Sequence, residues 1–251
     1  MTRDAAAAWL PFGTGTGQQR LRLLCLPHAG AGATAYRAWA AGLAPEIAAC
    51  PVQLPGRESR AWEQPYRQMD ALVSDLSEAL GDLVDEPYAV FGHSLGALVA
   101  FELVRHLRRA GRPAPVHLFV SGCRAPQLAM TQPALRDLPA CELAPALRAM
   151  GGTPAAVLAD PALLQAIAPL LRADFCVYET YRYTAEPPLE VPVTALAATA
   201  DRRAGQDQVA AWRSQAGSEF QLYVLPGGHF AVLDHAAFVH GRITQALRCH
   251  V

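Results

Sequence analysis

The chain has 251 residues, of which 52% are hydrophobic and 17% charged; this length and balance suit one α/β domain with a sizeable core and exclude a disordered or fibrous protein. A formal charge of −1 excludes the basic excess that a nucleic-acid binder requires. No apolar run reaches membrane-spanning length, and the apolar part of MTRDAAAAWLPFGTG is too short for a secretion signal, so the expected compartment is the cytoplasm.

Residues 1–20 read as a polar, Gly/Thr-rich lead-in. LRLLCLP (21–27) is a short buried strand ended by proline, and HAGAGATAYRAWAAGL (28–43) is a Gly-rich turn entering a helix. IAACPVQLPGRE (47–58) is a second strand that leaves through a Pro-Gly turn. MDALVSDLSEALGDLV (69–84) places Leu72, Leu76, Leu80 and Leu83 on one helical face. PYAVFG (87–92) is the next strand, followed by a helix over 95–110. Further strands are expected at 116–122, 191–201 and 220–229, with a closing helix over 235–250.

Strands alternating with helices imply crossover connections, hence an α/β fold with a mostly parallel sheet and helices on both faces. Residues 124–186 break the alternation: they are Ala/Leu/Pro-rich and helical in pattern, and prolines at 126, 133, 139, 145, 154 and 161 should cut them into short helices. Such an insertion between two strands reads as a lid over a site within a single domain spanning 1–251. The six cysteines form no C-x-x-C pair and no His/Cys cluster at metal spacing, which fits a reduced protein with no metal.

Gly92-His93-Ser94-Leu95-Gly96 fits G-x-S-x-G. The motif alone is weak, but here it lies between a strand and a helix, the setting in which a sharp turn exposes the serine hydroxyl. A nucleophilic Ser94 needs a base. His229 suits it best among eight histidines, because LPGGH follows the last strand and places an imidazole at the strands' carboxyl edge. His93 should point away from the serine, and His28 reads as a loop-shaping residue. The orienting acid should lie between Ser94 and His229, and Asp201 ends the strand VTALAATAD there, with Asp207 in reserve; Asp234, in the closing helix, reads as a surface charge. Two backbone amides are expected to hold an oxyanion: Leu95, just after the serine, and Ala29 in PHAGAGA.

LCLPHAGAGA, VQLPGRE, FGHSLGALVAFEL, LFVSGCRAP and LPGGHF, spread over residues 21–233, resemble the stand-alone type II thioesterases of polyketide and nonribosomal peptide biosynthesis. LPGRE and SGCRAP have no part in generic esterases and make the resemblance specific. It implies an α/β-hydrolase fold with a helical lid, and hydrolysis of aberrant or stalled acyl thioesters on the phosphopantetheine arm of carrier proteins. It implies the triad Ser94, Asp201 and His229, the oxyanion amides of Ala29 and Leu95, no cofactor, and a monomer. Asp201 is followed by Arg202 and Arg203, where the family usually has proline. Because carriers are acidic and the arm bears a phosphate, Arg57, Arg60, Arg202 and Arg203 are candidate carrier contacts. A small-ester carboxylesterase or lipase, or an acyltransferase, on the same scaffold is the alternative.

Overall fold

Six strands hydrogen-bond side by side in the order β2-β1-β3-β4-β5-β6, every neighbouring pair parallel. They are β1 (Leu21–Leu26), β2 (Ile47–Pro51), β3 (Tyr88–His93), β4 (Leu118–Ser121), β5 (Val193–Ala198) and β6 (Phe220–Leu225). The structure is a computed structural model that describes residues 3–15 and 19–251. Strand β1 shows why the sheet is buried on both sides: Leu21, Leu23 and Cys25 enter one apolar cluster, and Leu24 and Leu26 the other. A strand with two apolar faces has to be covered by helices above and below.

On the face of Leu24 and Leu26 lie α1 (Arg3–Trp9), α2 (Met69–Leu80) and α3 (Leu95–Arg109). The other face is covered by a 3₁₀ segment (Ala33–Ala41) carrying Tyr36 and Trp39, and by the last helix, Ala236–Leu247, through Val239, Ile243 and Leu247. The chain leaves β1 toward one face and β3 toward the other. A crevice therefore opens between the two loops at the strands' carboxyl ends, where open α/β sheets bind ligands.

The lead-in differs from expectation. Residues 3–9 form α1, and Trp9 and Leu10 are buried, with Trp9 stacked on Tyr66 and lying under the Arg60 guanidinium. One indole supplies enough apolar area to hold a short helix that composition alone does not announce. The expected helix 69–84 ends at Leu80, because Gly81 takes φ +48° and a 3₁₀ turn follows.

Between β4 and β5 stand α4 (Ala140–Met150), α5 (Ala155–Ala159) and α6 (Pro161–Thr180), with a small core of their own built on Leu143, Leu147, Leu164, Ala168, Leu171 and Phe175. Prolines cut this lid less than expected. Pro139 and Pro154 sit at helix starts and Pro161 opens α6, but Pro145 lies inside α4 and Pro169 inside α6. The Cys141 carbonyl, which would have accepted the missing Pro145 N–H, is on an exposed turn where solvent can replace it. After β5 come α7 (Gln206–Ala210) and a 3₁₀ turn; after β6 come α8 (Ala231–Asp234) and α9, the helix Ala236–Leu247.

Candidate active site

Ser94 occupies the turn between β3 and α3 with φ +55° and ψ −118°. A non-glycine residue there costs about 1–3 kcal/mol and persists only where the surroundings impose it. Here the Ser94 N–H donates to the Ser121 carbonyl on β4 at 2.8 Å, and the Ser94 carbonyl accepts from Ala97 N–H at 3.1 Å. Space is equally restricted: a Cβ on Gly92 would overlap the Gly96 carbonyl, and one on Gly96 would overlap the Leu26 carbonyl. Strand and helix can cross this closely because neither flanking residue has a side chain.

His229 follows β6 and Asp201 follows β5, so adjacent parallel strands deliver both to the same sheet edge. The His229 Nε2–Ser94 Oγ distance is 3.0 Å, and His229 Nδ1 stands 2.8 Å from Asp201 Oδ2. A carboxylate only accepts, so Nδ1 carries the proton and Nε2 is left to accept from the serine hydroxyl. The other Asp201 oxygen accepts the backbone N–H groups of Arg203 at 2.7 Å and Ala204 at 3.2 Å. Both Asp201 and His229 are buried. Asp207 and Asp234, the other acids weighed, are exposed.

Neither the Ala29 nor the Leu95 amide meets an acceptor among the described residues. Leu95 opens α3, so its N–H is one of the helix's four unpaired donors and carries the positive end of the helix dipole. Both residues come to the crevice between the β1 and β3 loops.

A cavity of about 470 Å³ lies between this crevice and the lid, reaching Ser94, Ala29 and His229 on the core side and Leu147, Leu171 and Phe175 on the lid side. A second, of about 530 Å³, is lined by Asp201, Arg202, Arg203, Cys141 and Glu142. Met150 and His229 border both.

Sequence reasoning missed a ring cluster beside the base. The His93 ring centroid is 4.9 Å from that of His229, and its Nδ1 is 3.2 Å from the Ser121 carbonyl. His28 packs edge-on against Phe230 at 4.8 Å. Burial, with the charges of His229 and Arg57, lowers the His28 pKa from 6.5 to about 4; burial likewise pushes His93 well below 6.5. Burial thus favours the neutral form of both rings beside His229.

The candidate carrier contacts separate into two pairs. Arg57 is buried and all five of its N–H groups are engaged, by the carbonyls of Pro55 and Ala31 and by Asp174, so it offers nothing to a docking partner. Arg60 is corrected for the same reason: it is buried, bidentate to Glu63 and bonded to the Gln53 carbonyl. Arg202 is exposed, and the Arg203 guanidinium donates to the Pro133 carbonyl at 3.4 Å. Asp174 was not foreseen, although a carboxylate beside Leu171 and Phe175 on an apolar helix face was a signal that a buried partner must exist.

Residues 21–247 match the thioesterase domain. The chain belongs to the thioesterase family. It is a hydrolase of thioesters, of the α/β-hydrolase fold. It is 40% identical over 215 residues to the gramicidin S biosynthesis protein GrsT of Aneurinibacillus migulanus, covering 86% of this chain and 84% of that one. Among solved structures, the RedJ thioesterase of the prodiginine pathway in Streptomyces coelicolor superposes with a TM-score of 0.87 at 37% identity, over 96% of this chain and 99% of that one. The type II thioesterase BorB of the borrelidin cluster superposes with a TM-score of 0.83 at 35% identity, over 94% of each chain.

Proposed function

We propose that this thioesterase is a type II enzyme that removes aberrant or stalled acyl groups from the phosphopantetheine arm of carrier proteins in polyketide or nonribosomal peptide biosynthesis, through an acyl-serine on Ser94. One observation carries the chemistry: the hydrogen-bonded line Ser94–His229–Asp201, closed off by buried carboxylate contacts. The near-complete coverage of GrsT, RedJ and BorB supports the type II role.

In the first half-reaction the Ser94 oxygen attacks the thioester carbonyl while His229 Nε2 takes its proton. The negative oxygen of the tetrahedral species is held by the Ala29 and Leu95 amides, which need no reorganisation to receive it. The C–S bond breaks and the arm's sulfur leaves with the proton returned by His229. In the second half-reaction His229 deprotonates a water that attacks the acyl-serine; collapse restores Ser94 and releases the acid. Asp201 keeps Nδ1 protonated and stabilises the imidazolium in both halves. No metal or cofactor takes part in this reading. The lid-covered chamber, apolar on its lid side, takes the acyl group, and Arg202 and Arg203 stand where an acidic carrier can approach. The enzyme works in the cytoplasm beside its synthase.

The test is hydrolysis of acyl-phosphopantetheinyl carrier protein against a matched oxygen ester of the same acyl group. Carrier turnover that disappears in Ser94→Ala is the expected result. Oxygen-ester hydrolysis without carrier turnover would leave a general esterase and reject the carrier reading.

A further inference from the structure

Of three consecutive amides in the loop after β1, two are engaged by protein acceptors. Ala31 N–H donates to the His28 carbonyl at 3.1 Å, and Gly30 N–H donates to Oδ2 of Asp174 at 2.7 Å. Ala29 N–H, between the strand and these two, has none among the described residues. The amide assigned to the oxyanion is thus the one its neighbours leave over. Asp174 decides this, and it belongs to the lid: it lies on α6, one turn beyond Leu171 and next to Phe175, both of which line the acyl chamber.

The same carboxylate is bidentate to Arg57, with Oδ2 accepting from Nη1 at 2.6 Å and Oδ1 from Nη2 at 2.8 Å. Arg57 Nη1 also donates to the Ala31 carbonyl at 3.1 Å, while Nε and Nη2 bind the Pro55 carbonyl, each at 3.1 Å. Both side chains are almost wholly buried, 4% and 3% exposed. An apolar pair of similar volume would hold the lid to the core as well, because desolvating two charges offsets most of their attraction. An apolar pair could not occupy the Gly30 amide or hold the Ala31 carbonyl. Gly30 itself has φ +80° and lies under Leu171, whose Cδ2 would stand 2.6 Å from a Cβ there. The Ala31–His28 turn bond closes the loop locally, and Asp174 holds it from the lid.

We infer that Asp174, with Arg57, is a positioning residue of the reaction: from the lid it fixes the loop that aims the Ala29 amide at the oxyanion, so that the oxyanion hole is complete only when α6 is seated. The inference rests on the oxyanion role given to Ala29 above.

The test uses an acyl-N-acetylcysteamine thioester, which needs no carrier, and a trifluoromethyl ketone analogue, whose hemiketal adduct with the Ser94 oxygen places a negative oxygen in the same place. The variants are Asp174→Asn and the paired Arg57→Met/Asp174→Leu, which removes both buried charges together. The paired variant should keep a melting temperature near that of the wild type. Its kcat should fall about 10- to 100-fold with KM changed less than about threefold, because only the transition-state contact is disturbed. Affinity for the ketone should fall by the same factor as kcat/KM. Asp174→Asn, which keeps an acceptor oxygen for Gly30, should lose less; if the paired variant does not fold, the kcat loss at constant KM in Asp174→Asn decides the matter. Wild-type kcat in either folded variant overturns the inference, as does a kcat loss with ketone affinity unchanged. Failure of the carrier reading shows separately, in a wild type that cleaves the small thioester but not the acyl-carrier. Failure of the oxyanion assignment also shows in the wild type, as a trifluoromethyl ketone bound no more tightly than the plain methyl ketone.

Discussion

At Ser94 the fold concentrates strain, and at Asp201 it concentrates order. The serine's φ of +55° aims its hydroxyl at Nε2, and Asp201 meets three donors, one imidazole and two amides. Replacing the Arg203 and Ala204 contacts is not needed to weaken this arrangement; changing the charge of one carboxylate suffices. Asp201→Asn keeps the size but presents an acceptor or a donor, so the imidazole can settle in the wrong tautomer with Nδ1 accepting. We expect kcat to fall on the order of 10³- to 10⁴-fold with little change in melting temperature, measured by thioester hydrolysis and thermal unfolding on one preparation. A variant active within a few-fold of wild type would shift the acid's role to another group. The residues of this line were legible because their chemistry ties them to element ends: G-x-S-x-G at a strand–helix junction, an acid ending one strand, a histidine after the next. The Asp174 contacts and the His93–His229 ring contact were not legible, since both depend on which segments, far apart in sequence, pack together.

The elements explain how these residues stay in register. Helix α6 is the lid's backbone, and its start is specified locally: the Asp160 side chain accepts from Ala162 N–H at 2.8 Å and Leu163 N–H at 3.3 Å, and Pro161 occupies the first turn. Asp160→Ala should cost about 1 kcal/mol, seen as a lower urea midpoint with an unchanged m-value. Because Asp174 rides on the same helix, a frayed start should also make the lid more open to protease before the core unfolds. No change in either readout would show that α6 is held by its apolar contacts alone. The strands were readable from their apolar runs, whereas the short lead-in helix α1 was not, because its stability comes from burying Trp9 against Tyr66 and Arg60 rather than from its own pattern. Nor could proline positions alone predict the lid's helices: Pro169 sits inside a helix of 20 residues.

Over the whole molecule, burial of imidazoles couples stability to pH. His28 and His117 both have their pKa lowered from 6.5 to about 4, chiefly by burial, and burial also pushes His93 well below 6.5. Below pH about 6.5 the unfolded chain therefore binds protons that the folded one refuses. The stability these groups support is complete above 6.5 and is lost progressively as pH falls toward 4. Urea midpoints should drop between pH 7 and pH 5, and His117→Gln, which keeps a side-chain amide near the Thr194 hydroxyl, should flatten that dependence. His117 is chosen because it stacks on Phe119 and bonds Thr194, apart from the Ser94–His229–Asp201 line. A midpoint that rises on acidification would contradict the sign.

The sequence by itself determined the alternation of strands and helices, the lid's place between β4 and β5, and the Ser94, Asp201 and His229 line, because local periodicity and motif spacing encode where elements end. Only the tertiary structure decided that Arg57 and Arg60 are buried structural cations, that Ala29 is the amide left without an acceptor among the described residues, and that a lid carboxylate binds the loop beside it. Those outcomes depend on desolvation and on the partner each charge finds across more than a hundred residues of chain (Arg57 and Asp174 are 117 apart), and neither quantity is carried by the residues nearby.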